Sequence, residues 1–279
     1  MKWHTEQVFF PSGDIKLRGV IYIPRGEGRF PGMVLCHGMA SDYRSMRPSA
    51  QQLVRKGIAA FAIDLRGHGM SEGTLDGCIG QDVVAAYNTL KKHTRLDAER
   101  IGLAGHSLGA LACLYAASMV NGAKSLVLLS IPSDIGSMAE FWQPMRKQAE
   151  RIGTSILDFP RVGPLPYNGK LNQQVSRAWM IFRRYNMRID IDHDTDSWLS
   201  LLPLPNIEKI GSIPKLFVHS KGDKWLPYEQ TLALYEKAQP PKDVVLSEGG
   251  YHVTPLLPGS LRRKWIAWTA ATLKGEVSW

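Results

Sequence analysis

Ser107 sits in the pentapeptide Gly105-His106-Ser107-Leu108-Gly109. A serine hydroxyl is a poor nucleophile until it projects from a sharp turn within reach of a base. The apolar run Ile101–Ala104 precedes this pentapeptide and the apolar run Leu108–Met119 follows it, so strand, turn and helix come in succession. The two glycines let strand and helix pass closely, and the helix start aims free N–H groups and its positive dipole end at developing negative charge. That layout predicts Ser107 as a nucleophile for acyl transfer. Such a serine needs a base to take its proton and a carboxylate to orient that base. Eight histidines compete for the first role: His4, His37, His68, His93, His106, His193, His219 and His252.

The elements that must hold these groups read as alternating strands and helices. Gln7–Phe10 and Ile15–Ile23 form strand patterns around a Ser12-Gly13-Asp14 turn and predict an antiparallel edge. Continuous apolar strands follow at Pro31–Cys36, Ile58–Ile63, Ile101–Ala104 and Ser125–Leu129, with helices expected over Pro48–Lys56, Cys78–Lys92 and Leu108–Met119. The rhythm resumes at Pro214–His219 (strand), Tyr228–Ala238 (helix), Asp243–Leu246 (strand) and Gly259–Leu273 (helix). Strands separated by helices of this length call for right-handed crossovers, hence an α/β class fold. The expectation is a mostly parallel eight-stranded sheet with helices on both faces. Between residues 131 and 213 the rhythm fails, and helical patterns appear at Ser137–Ile152, Leu171–Tyr185 and Asp196–Leu202. This segment is expected to be an inserted helical cap, or lid, on a core formed by residues 1–130 and 214–279.

The chain resembles the α/β-hydrolase superfamily. The stretches that carry the resemblance are LCHGMA (35–40), DLRGHGMSEG (64–73), GHSLGA (105–110), HSKGDKWLP (219–227) and GGYHVTP (249–255), in the family's order. DLRGHGMSEG looks most like the branch of small esterases, monoacylglycerol-lipase-like enzymes and serine aminopeptidases. The resemblance implies a triad of Ser107, Asp223 and His252, with His252 on the loop between the last strand and the last helix. Asp134, after the preceding strand, is the alternative acid. It also implies an oxyanion hole built from the backbone N–H groups of Met39 and Leu108. The sequence reads His-Gly-Met-Ala here rather than the glycine-rich turn of one lipase and esterase branch. His37, His68 and Asp64 are expected to shape loops, and the His106 ring is expected to turn away from the site.

No metal or cofactor is expected, since there is no HExxH, no phosphate-cradling glycine loop and no dinucleotide fingerprint. The formal net charge of +9 is spread along the chain without a basic run, which argues against nucleic acid as a partner. No leader and no membrane span is expected, and three unpatterned cysteines fit a cytoplasmic setting. Trp142, Trp179 and Trp225 are candidate pocket residues for an apolar or aromatic substrate, as is Met39. The leading reading is a serine esterase of small to medium acyl or aryl esters. The same triad would serve a proline-aminopeptidase-like peptidase, a thioesterase or an acyltransferase. A non-catalytic binding protein on the same fold would be expected to lack a triad member. Oligomeric state is not encoded in any pattern found.

Overall fold

A computed structural model of the chain describes residues 3–134, 137–159, 184–192 and 195–277. Its core is an eight-stranded sheet made of β1 (Trp3–Ser12), β2 (Ile15–Pro24), β3 (Phe30–Cys36), β4 (Ala59–Asp64), β5 (Leu96–His106), β6 (Leu126–Leu129), β9 (Lys215–Ser220) and β10 (Lys242–Ser247). The order across the sheet is β1-β2-β4-β3-β5-β6-β9-β10. β1 pairs antiparallel with β2, and β2 with β4, while every pairing from β4 to β10 is parallel. The predicted edge hairpin and parallel interior are both present.

Strands β3, β4 and β6 are apolar almost throughout because helices cover both of their faces. Alternate residues of β3 divide between two cores. Val34 and Cys36 join Phe61 and Leu103 beneath α2 (Ile79–Lys91) and α3 (Leu108–Met119). Met33 and Leu35 join Met46, Leu53 and Trp265 from α1 (Tyr43–Arg55) and α8 (Ser260–Lys274) on the other side. Helix α1 begins before the expected Pro48, because the buried Asp42 caps it by accepting the Arg44 N–H at 2.8 Å.

β6 and β9 lie side by side, with Leu126 opposite Lys215 and Leu129 opposite Val218, so the chain between them leaves the sheet and returns beside its exit. That excursion holds α4 (Ser137–Ile152), as expected, then α5 (Thr195–Leu199) and α6 (Pro203–Lys209). It is not wholly helical. β7 (Ile156–Phe159) and β8 (Met187–Asp190) form an antiparallel pair whose Leu157, Phe159, Met187 and Ile189 are buried. Four residues per strand carry too little alternation to be distinguished from helix by pattern. The pair docks on the chain after β4, where Leu75 N–H donates to the Arg188 carbonyl and Arg188 N–H to that of Gly67, each at 2.7 Å. The expected helix over Leu171–Tyr185 falls on residues 171–183, which lie outside the described ones. Helix α7 (Tyr228–Lys237) then follows β9.

Candidate active site

The segment from β5 into α3 places Ser107 at a sharp corner. Its backbone has φ +53° and ψ −119°, a conformation that non-glycine residues rarely hold. Ser107 N–H donates to the Leu129 carbonyl at 2.8 Å, and the Ala110 N–H donates to the Ser107 carbonyl, also at 2.8 Å. Close passage explains both flanking glycines: a Cβ on Gly105 would strike the Gly109 carbonyl, and one on Gly109 the His37 carbonyl. Ala40 and Ser130 also hold positive φ, and both lie on loops beside this corner.

The turn after β3 abuts the serine. A Cβ on Gly38 would lie 3.3 Å from the Ser107 Cβ and 2.9 Å from His106 Nδ1. Two buried imidazoles shape this turn. His37 Nδ1 donates to the Gly38 carbonyl at 2.7 Å, leaving Nε2 to accept the Leu65 N–H at 3.1 Å. His68 Nδ1 donates to the Arg66 carbonyl at 2.9 Å, and its Nε2 accepts the Ala40 N–H at 3.3 Å. Burial pushes both rings toward the neutral form that this pattern requires, His68 down to about 3. Asp64 ties the same region, accepting the Tyr43 N–H at 2.8 Å and the Met70 N–H at 3.2 Å. The loop-shaping expectation for all three holds. Among the described residues no backbone carbonyl outside the regular helices and strands accepts the N–H of Met39 or Leu108.

Asp223 and His252 meet across two loops. His252 Nδ1 donates to Asp223 Oδ2 at 2.7 Å. The loops can approach because Gly222 and Gly250 lack side chains: a Cβ on Gly222 would lie 2.6 Å from the Gly250 carbonyl oxygen. Asp223 Oδ1 accepts the Trp225 N–H at 2.9 Å and the Leu226 N–H at 3.1 Å. Burial alone would raise this carboxyl strongly, but hydrogen bonds from His219 and His252, with the backbone donor, hold it far below the usual carboxylate range. Asp134, the alternative acid, is exposed after β6, and it is Asp223 that receives the His252 ring.

Two histidines behave differently from expectation. The His106 ring does not turn away. Its centroid lies 4.8 Å from that of His252, and its Nε2 donates to the His252 carbonyl at 2.9 Å. His219 carries no role in the sequence reading, yet its Nε2 lies 3.0 Å from Asp223 Oδ2. The only sequence signal was its place four residues before that aspartate at a strand end. Trp225 places its ring centroid 5.9 Å from that of His252 and is 60% exposed. The side chain of Trp142 and the whole of Trp179 lie outside the described residues. Among the described residues no group of three His, Cys, Asp or Glu is placed to hold a metal ion, and no helix is long and apolar enough to cross a membrane.

A family model described as "Alpha/beta hydrolase family" matches residues 33–261, so the chain belongs to that family. It is 23% identical over 257 residues to the uncharacterized protein YfhR of Escherichia coli K12, covering 90% of this chain and 74% of that one. It is 25% identical over 271 residues to the polyketide transferase ATR5 of Stachybotrys chlorohalonatus, covering 89% and 90% respectively. Among solved structures it is similar to the esterase Pf2001 of Pyrococcus furiosus, with a TM-score of 0.69 at 19% identity, covering 98% of this chain and 91% of that one.

Proposed function

Proceeding from membership of the alpha/beta hydrolase family, we propose that the chain is a serine hydrolase cleaving carboxylic esters of small to medium acyl or aryl groups. The observation that carries the reading is the 2.7 Å bond from His252 Nδ1 to Asp223 Oδ2, on a loop anchored by the residue beside Ser107. With Nδ1–H committed to Asp223, the neutral ring keeps its lone pair on Nε2, the form a general base requires.

In this reading His252 Nε2 takes the Ser107 proton as Oγ bonds to the ester carbonyl carbon. The carbonyl oxygen becomes an oxyanion held by the Met39 and Leu108 N–H groups; one such donor is worth on the order of 10²–10³ in rate. Collapse expels the alcohol, which carries away the proton from His252. Water, deprotonated by the same ring, then attacks the acyl-enzyme and frees the acid and the serine. Asp223 remains ionised and stabilises the imidazolium in each half-reaction. Residues 131–213 act as a cap over this centre, with Trp225 as a wall beside the base.

A second reading, transfer of the acyl group to an acceptor other than water, draws support from the likeness to a polyketide transferase. Both share the acyl-enzyme, so a fluorophosphonate probe tests them together. The native chain should label and Ser107→Ala should not; equal labelling of the two removes Ser107 from the chemistry. A panel of p-nitrophenyl esters, with and without an added alcohol or thiol acceptor, then separates hydrolysis from transfer.

A further inference from the structure

We propose that His219 is a positioning residue of this site, gripping the Asp223 carboxylate by the same oxygen that receives His252. The proposal rests on the acyl-enzyme reading above. His219 lies near the end of β9 with its side chain fully buried. Its Nε2 is 3.0 Å from Asp223 Oδ2 and 3.1 Å from the Leu226 carbonyl oxygen. Neither oxygen can donate, so Nε2 carries the hydrogen. On the opposite side Nδ1 lies 2.7 Å from Thr231 Oγ1 and the Ile131 carbonyl oxygen lies 2.9 Å from it, so the one hydroxyl hydrogen of Thr231 is shared between these two acceptors. Polar contacts therefore run from the backbone after β6, through Thr231 of α7 and the His219 ring, to the carboxylate that orients the base.

A buried histidine at a strand end often does no more than satisfy its own ring nitrogens. Here the choice of partner argues for more. Asp223 Oδ1 is already occupied by two backbone N–H groups, and Oδ2 is shared between His219 and His252. The carboxylate cannot rotate without breaking one of these bonds. Because His219 draws on the charge of the same oxygen, less of it is left to stabilise a charged His252 ring. Among the described residues His106 from the elbow also faces His252, and burial pushes it down to about 3, so it adds no charge in the working range.

Loss of the His219 N–H should therefore raise the pH at which His252 takes up a proton. The experiment is an NMR titration of histidine-labelled full-length protein carrying Ser107→Ala, with and without His219→Leu. His252 is expected to titrate about half a pH unit or more higher in the double variant. With Ser107 present, His219→Leu should lower kcat about tenfold with KM nearly unchanged, as for one lost charge-assisted hydrogen bond, and His219→Gln should restore part of it. An unmoved His252 titration overturns the proposal, as does equal loss of kcat in the Gln and Leu variants. If His219→Leu does not fold, Thr231→Val replaces it and must move the titration in the same direction. The titration needs no turnover, so its failure leaves the Ser107 labelling test untouched, and failed labelling would count against the acyl-enzyme alone.

Discussion

His106 donates its Nε2–H to the carbonyl oxygen of His252 at 2.9 Å, so the residue beside the proposed nucleophile carries the loop of the proposed base. Ser130 Oγ gives that carbonyl a second donor at 3.2 Å. The ring also lies against Gly38 through Nδ1. Three loops of the site thus meet on one imidazole that burial keeps neutral.

That contact sets a first expectation. His106→Leu should lower kcat about tenfold with little change in KM, since it releases the base loop and leaves substrate contacts alone. Ser130→Ala alone should cost less, because one donor remains. The double variant strands a carbonyl, so steady-state kinetics should show a loss larger than the two single effects combined. Simple additivity would mean that the two donors act independently of the loop.

The identity of the acid can be decided by comparing two carboxylates. Asp223→Asn should depress kcat by about 10³–10⁴, because the amide can no longer both accept from His252 Nδ1 and stabilise its charge. Asp134→Asn should stay within a few-fold of the native rate. The reverse ranking in the same ester assay would transfer the role to Asp134.

The glycines make a sharper test of the oxyanion turn. Gly109→Ala would drive a methyl into the His37 carbonyl, so the turn carrying Met39 N–H must move. Fluorophosphonate labelling should slow by about 10²–10³, the cost of a displaced oxyanion donor. Gly249→Ala meets nothing within 4 Å and should label normally. Equal labelling rates would show that the turn is not in contact with the reacting carbonyl.

Stability should decline in mild acid. Burial lowers His37, His68 and His106 from the ordinary 6.5, the latter two to about 3. Below about 6.5 the unfolded chain binds protons at these rings while the folded chain does not, so the stability they leave intact at neutral pH is lost as pH falls. His68 and His106 each steepen the decline by up to about 1.4 kcal/mol per pH unit between those limits, and His37 acts in the same direction. Denaturant melts at pH about 7.5 and about 5 should differ accordingly; a flat profile would mean that these rings are protonated in the fold.

The parts of this protein legible in its sequence are those whose evidence is local. Ile101–Leu114 spells out strand, elbow and helix within one continuous stretch, and the observed β5, Ser107 and α3 follow it closely. The eight-strand α/β pattern was legible for the same reason, since apolar period and length travel with each element. The β7–β8 pair was not, because four-residue strands have no period to read and gain their stability from docking on Gly67 and Leu75.

Side-chain direction is what the tertiary structure alone decided. His252 and Asp223 are 29 residues apart and His252 and His106 are 146 apart, and neither distance is bridged by any local pattern. A histidine that shapes a loop, one that carries a loop and one that shares a carboxylate look alike in a sequence. They differ in which acceptors the fold brings to each ring nitrogen once water is excluded. Composition and spacing placed Ser107 at the elbow; packing chose Asp223 over Asp134 as the partner of His252, turned His106 inward, and set His219 on the same oxygen.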